Sequence, residues 1–289
     1  MKANQKNNSN AEHSAHMIEV NDLVHIYPNG IKALDNVSMV VGTHEKLAIV
    51  GQNGSGKTTL VKHFNALLKP TQGMLSVMGV NLTPKSKIKT SQLAKTIGYV
   101  FQNPNHQLFS VNVYQELCFG LKNLKVPPDE IKSKVQEVIE IFRLQPYLEA
   151  HPYSLSMGVR KLVAIASVYA MGPQLMVLDE PTTGQDYEGK NVLSQAIAKV
   201  YESGKSLVFV SHDMRFVAEH AERAVVMANA RIIFEGKLQE LFVRDDVLKE
   251  AQLRSPRITE LGQRLVDFDI RPDVLTVPEM VAEIRRSKP

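Results

Sequence analysis

Gly51-Gln52-Asn53-Gly54-Ser55-Gly56-Lys57-Thr58 has the spacing of a phosphate-binding loop. The pattern G-x-x-x-x-G-K-[ST] curls backbone N–H groups around the α- and β-phosphates of a nucleotide, and glycine permits that curl because it has no Cβ. Lys57 reaches the β/γ-phosphates and Thr58 offers a hydroxyl to Mg²⁺. Gln52, Asn53, Ser55 and Thr59 complete the nucleotide-binding set. A second group lies far along the chain, where the apolar run Leu175-Met176-Val177-Leu178 ends in Asp179-Glu180. Two acids after a strand can simply open a helix. With Lys57-Thr58 upstream, Asp179 reads as a holder of Mg²⁺ through its water shell, and Glu180 as the general base that activates a water.

Three further residues are weak alone. His212 follows the apolar run Ser206–Val210; it is structural, exposed, or a hydrogen-bond partner of the γ-phosphate. Gln102 ends Ile97-Gly98-Tyr99-Val100-Phe101 and can reach Mg²⁺ or the attacking water. Tyr27, before Pro28-Asn29-Gly30, is a turn tyrosine or an aromatic for stacking on adenine.

The elements around these residues alternate. Strands are expected at Ile18–His25, Val37–Val41, Leu47–Val50, Met74–Met78, Ile97–Phe101, Leu175–Leu178 and Leu207–Val210. Helices are expected at Leu60–Leu68, through most of 112–167, and near Lys190–Ser203. Ile131, Val135, Val138, Ile139 and Phe142 recur at helical spacing. This order predicts a parallel α/β sheet, with ligand groups at the carboxyl ends of its strands. Ala224–Ala228 and Arg231–Phe234 form a hairpin around Asn229-Ala230, and two short helices follow at Ile258–Val266 and Val277–Ile284. Residues 1–16 read as a disordered polar tail, so His13 and His16 are not read as a metal site. There is no internal repeat.

Composition sets outer limits. The 289 residues are 44% hydrophobic, with 34 basic and 30 acidic residues and a net charge of +4. The charges are interspersed, which does not make a nucleic-acid footprint. The single cysteine, Cys118, excludes an intramolecular disulfide and sits in an apolar helical pattern as a packing residue. The longest apolar stretch, Leu162–Leu178, is interrupted by Ser167 and Gly172-Pro173 and falls short of the ~20 residues that span a bilayer. No signal peptide is evident. Work at a membrane would need partners to hold the chain there.

Taken in order, these elements resemble the ATPase subunit of ATP-binding cassette (ABC) transporters over roughly residues 17–240. Leu155-Ser156-Met157-Gly158-Val159 stands where that family has its signature L-S-G-G-Q, and Thr182-Thr183-Gly184-Gln185-Asp186 where it has its D-loop. Phe101–Phe109, Glu116–Leu121 and the tail segments Pro256–Leu261 and Leu275–Met280 are similar to the energy-coupling-factor (ECF) branch, which serves vitamin and transition-metal importers. The resemblance implies a P-loop core of RecA-like type with an antiparallel β subdomain and a helical subdomain at about 103–167. The ATPase domain then covers 17–244, and 245–289 is a small C-terminal α module. It implies ATP and Mg²⁺, and a head-to-tail dimer with a second ABC ATPase subunit. A transmembrane coupling subunit and a substrate-capturing membrane subunit would hold the chain on the cytoplasmic side of the membrane.

The signature departs from the pattern. Met157 replaces its first glycine, Val159 its glutamine, and Leu162 the arginine that commonly follows. Ser156 and Gly158 remain and can offer donors to the partner's ATP. An asymmetric heterodimer is therefore expected, with a homodimer as the alternative. Other readings are a conventional ABC importer, a soluble ABC protein and a P-loop nucleotide kinase. The C-terminal segments disfavour the first, the lack of coiled-coil insertions or duplicated cassettes the second, and the Q-loop, signature and His212 set the third.

Overall fold

A computed structural model of the chain describes residues 16–287. The expectation of a disordered tail at 1–15 lies outside them, and His16 begins the first strand. Two sheets form the framework. The first is antiparallel, in the order β2-β1-β4-β5, from β1 (His16–Ile26), β2 (Lys32–Gly42), β4 (Gln72–Val77) and β5 (Val80–Leu82). The second has six strands in the order β10-β9-β3-β8-β7-β6. These are β3 (Lys46–Val50), β6 (Ile97–Val100), β7 (Leu175–Asp179), β8 (Ser206–Val210), β9 (Arg223–Ala228) and β10 (Arg231–Lys237). All its pairs are parallel except the β9–β10 hairpin at the edge.

Side chains alternate across a strand, so the second sheet serves two layers. Leu47 and Ile49 of β3 face helix α1 (Lys57–Phe64) and the antiparallel sheet, while Ala48 and Val50 face the opposite layer. On that far side, Met176 and Leu178 pack under α3 (Val113–Asn123), α4 (Pro128–Ile141), α5 (Met157–Ala170) and α6 (Tyr187–Glu202). Burial on both faces explains why β7 and β8 read as unbroken apolar runs. Each fully buried large apolar side chain stabilises the fold by about 1.5–3 kcal/mol.

Local chemistry sets the helix ends. Gly56 caps α1 with φ 106°, so the helix starts at Lys57 and not at Leu60 as expected. Ala66, at φ 58°, takes the left-handed conformation that stops it, so the expected continuation to Leu68 does not occur. The region expected to be mainly helical is three helices with breaks at 124–127 and 142–156. Asn112, Asp186 and Asp213 cap α3, α6 and α7 (Met214–His220), accepting from Gln115 N, Gly189 N and Phe216 N.

Short helices that sequence periodicity did not show are α2 (Thr90–Leu93), α7, α8 (Leu238–Phe242) and α9 (Asp245–Glu250). Phe242, Val247 and Leu248 of α8 and α9 join the core beside β3 and β9. The packing therefore continues past the boundary expected at 245. A satellite cluster of Ile270, Val274 and Met280, with Ile258 and Leu265 against it, forms around α10 (Arg257–Arg264) and α11 (Val277–Arg286). Leu275 and the Gln263 amide, which donates to Phe242 O, join it to the main body.

Candidate functional site

Three strand ends and one helix start meet at a cleft of about 680 Å³ lined by Tyr27, Lys57, Thr58, Gln102 and Glu180, among others. β3 runs into the glycine loop and α1 leaves it. At Gly51 (φ 144°) an added Cβ would lie 2.1 Å from Met227 O; at Gly56 (φ 106°), 2.4 Å from Ala33 O. Both glycines are therefore fixed by backbone conformation and by close approach. The Lys57 ammonium donates to Gly51 O and Gln52 O, each at 2.8 Å, and keeps a third proton for another acceptor. Burial lowers its pKa, and the carboxylates of Glu180 and Asp179 oppose that shift.

Asp179 ends β7 and is 1% exposed. Its Oδ2 accepts from Tyr99 Oη at 2.9 Å and from Thr58 Oγ1 at 3.1 Å. Burial raises its pKa, against those two hydrogen bonds and the charge of Lys161. Tyr99 sits on β6, and its pKa is raised by burial and by Asp179. Glu180 follows with φ 49°, a left-handed conformation uncommon outside glycine. That turn directs its carboxyl group into the cleft. His212 Nδ1 lies 2.8 Å from Glu180 Oε2, and the imidazole is 65% exposed on its outer side.

Two buried polar atoms here have no hydrogen bond of good geometry among the described residues: Ser55 Oγ and Glu180 Oε2. Unsatisfied buried polar atoms are rare and need an explanation. Both lie where the loop motif places phosphate and the attacking water, so the residues fit a magnesium nucleotide. Thr58, Asp179 and Gln102 could hold Mg²⁺. Tyr27 Oη pairs with Thr59 Oγ1 at 3.0 Å, which sets its ring at the mouth of the cleft.

The sequence-expected residues do not all converge. Tyr27, Asn53, Gly54, Gly56, Lys57, Thr58, Thr59, Gln102 and Glu180 share the cleft. Gly51, Gln52 and Asn53 also line a second, larger cleft of about 1360 Å³ with His212 and the first residues of α10. Ser156 and Gly158 lie elsewhere, beside Gly184 and Gln185 in a cleft of about 340 Å³. Ser156 caps α5, and Gln185 Nε2 donates to Gly158 O at 3.0 Å. Sequence reasoning missed Tyr99 and Lys161. Tyr99 reads as one more strand residue. Lys161 had at most a weak signal, as the second of two charges, after Arg160, that open the apolar run Leu162–Ala166.

Residues 34–183 match the model of the ABC transporter family. Energy-coupling factor transporter ATP-binding protein EcfA of Methanothermobacter thermautotrophicus is 38% identical, over 93% of this chain and 86% of the relative. EcfA2 of Acetivibrio thermocellus is 36% identical, over 93% and 98%. The chain spans only 46% of a 37% identical putative ABC transporter ATP-binding protein of Caldanaerobacter subterraneus, and 43% of a 40% identical one of Methanosarcina mazei. Among solved structures, cbiO1 of Clostridium perfringens, described as part of the ABC transporter complex cbiONQ, aligns with TM-score 0.71 and 34% identity over 86% of this chain and 98% of that one. MJ0796, a cassette solved as a dimer in a post-hydrolysis state with ADP and Pi, aligns with TM-score 0.71 and 26% identity over 77% and 99%. The fold, the glycine loop and the paired acids thus agree with the relatives: the chain belongs to the ABC transporter family, among its energy-coupling-factor ATP-binding subunits.

Proposed function

We propose that this chain binds and hydrolyses ATP to drive an ECF importer for a vitamin or a transition-metal ion, through a transmembrane coupling subunit and a substrate-capturing membrane subunit. The observation that carries this is the meeting of Lys57, Thr58, Asp179 and Glu180 in one cleft, with His212 against Glu180. The free proton of Lys57 and the N–H groups of the loop hold the β/γ-phosphates. Tyr27 stacks on adenine. Thr58, Asp179 and Gln102 would hold Mg²⁺, which would supply neutralisation of the phosphate charge. Glu180 takes a proton from the attacking water as general base, and His212 orients that carboxylate and the γ-phosphate.

A helical layer at about 103–167 presents Phe109 and Val111, 59% and 64% exposed, with the Phe109 ring edge-on to Phe119. This apolar rim suits the coupling subunit. No helix among the described residues is long and apolar enough to cross a membrane, so the proposed place is peripheral, on the cytoplasmic face, held by the membrane subunits. The C-terminal helices expose Leu261, Val277 and Val281, a surface suited to dimer contacts.

The dimer we propose is a heterodimer. Its working site combines this chain's Lys57–Glu180 set with the partner's intact signature, and the site at Ser156 and Gly158 is weakened. The test is a pair of substitutions in the assembled complex. Glu180→Gln should abolish most turnover, and the same change in the partner should cost less. The reverse ranking rules the asymmetry out.

A further inference from the structure

Lys161, in the first turns of α5, has no exposed surface. Its ammonium meets three carbonyl oxygens: Phe101 O at 3.0 Å, Gln102 O at 2.5 Å and Asp179 O at 3.2 Å. Three donors thus have three acceptors. It forms no ion pair among the described residues, so its direct partners are peptide dipoles, while the Asp179 and Glu180 carboxylates act on it from further off. A buried charge without a direct counter-charge is expensive, and an apolar side chain of similar shape would usually serve stability as well or better. Stability alone is therefore a poor reason for a lysine here. What it joins is more informative.

Two other side chains fasten α5 to the turn after β6. Arg160 Nη1 donates to Asn105 Oδ1 at 2.8 Å. Gln107 Nε2 donates to Ala164 O at 2.8 Å while its Oε1 accepts from Phe101 N at 3.2 Å. The segment 101–107 is thereby anchored to α5. Neither Arg160 nor Gln107 bonds to β7. Lys161 does, at the peptide between the metal-holding Asp179 and the base Glu180, where the chain turns left-handed.

We propose that Lys161 is a positioning residue: it fastens the start of the signature helix to the Gln102 turn and to the end of β7, so that ATP at Lys57 and the first turns of α5 respond as one body. The inference rests on the ATP site assigned above. It requires that the Gln102 and Asp179 peptides stay aligned only while all three bonds are made.

The test uses the full chain with the subunits that purify with it. Lys161→Met keeps the length and apolar stem of the side chain and removes the donors. Titration calorimetry reads ATP affinity, steady-state kinetics separates kcat from KM, and hydrogen exchange reads residues 157–163 with and without ATP. Affinity and KM should stay near the parent values. The kcat should fall roughly 10- to 100-fold, the scale of a misplaced reacting group. ATP should still protect the glycine loop but no longer 157–163. Unchanged kcat with unchanged protection at 157–163 overturns the proposal, and so does a loss of ATP affinity equal to the loss of turnover. If Lys161→Met does not fold, Lys161→Gln, which retains two donors, is read by the same criteria. Lys57→Ala is the control: should the parent chain and Lys57→Ala bind ATP alike, it is the ATP site that fails, not the role of Lys161.

Discussion

Tyr99→Phe removes one hydroxyl and leaves a ring in place. The residue is 7% exposed, and its ring packs edge-on against Phe101 with centroids 5.0 Å apart. Phenylalanine keeps that packing, so the change isolates the 2.9 Å hydrogen bond to Asp179 Oδ2. That oxygen is then left with Thr58 Oγ1 as its hydrogen-bond donor, at 3.1 Å. A hydrogen bond to a charged group contributes about 1.5–3 kcal/mol, and losing one partner of a buried pair leaves the other unsatisfied. The buried hydroxyl also carries a desolvation cost that phenylalanine avoids, which puts the expected loss near the lower end, about 1.5–2 kcal/mol. Urea unfolding of the ligand-free chain reads this as a lower midpoint at unchanged slope. If Asp179 also needs Tyr99 to face the nucleotide, kcat falls about tenfold for each 1.4 kcal/mol expressed in the transition state. A stability change under about 0.5 kcal/mol together with parental kcat would refute the view that Tyr99 orients Asp179.

Acid should destabilise the chain through His63, whose pKa burial holds down at about 4, with the nearby His25 adding to the effect. Its stabilisation is whole above pH 6.5 and is lost as pH falls toward 4, because only the unfolded chain takes the proton in that window; at about 1.4 kcal/mol per unit this amounts to about 3 kcal/mol. His63→Gln should flatten that part of the urea midpoint against pH, and identical slopes would count against the assignment. Val159→Gln restores an amide beside the cap of α5. In a complex whose other site is silenced by Glu180→Gln it should raise turnover about tenfold or more, the value of one charge-assisted hydrogen bond; no increase counts against the proposed weakening at Val159.

What the sequence revealed depended on how local each feature is. Gly51–Thr58 works through its own backbone, so its spacing is enough to read it. The six-strand sheet was readable because strands buried on both faces are nearly all apolar, as Leu175–Leu178 and Leu207–Val210 are. Asp179-Glu180 became legible only beside Lys57-Thr58, since two acids after a strand have other uses. Tyr99 acts through a contact 80 residues away that no spacing announces, and Lys161, beside an apolar run, reaches carbonyls 18 to 60 residues away that its place in the sequence does not identify. The limits of α1 were misjudged because they depend on the φ values of Gly56 and Ala66, and alanine gives no hint of a left-handed stop. Helices α7 to α9 are too short for an apolar period to repeat.

The changed signature is informative in what it keeps. Ser156 Oγ accepts from Val159 N as the cap of α5, so that serine has a role in the fold whether or not a partner's phosphate is present. An added Cβ on Gly158 would lie 2.7 Å from Gly184 O, so close contact with the D-loop already demands glycine there. Gln185 reinforces the contact through Gly158 O. The positions with such duties inside the chain match the family pattern. Met157 and Val159 are held by neither a cap nor a required glycine: Met157 is 41% exposed and lies over Gly184, and Val159 is half-buried at the edge of the helical-layer core. Met157 and Val159 stand where the family pattern has residues that meet a partner's nucleotide, whereas Leu162, the third departure, packs in the core of the helical layer. Survival of Ser156 and Gly158 is therefore no sign that the opposite site works, and the changes at 157 and 159 agree with the asymmetric dimer proposed above.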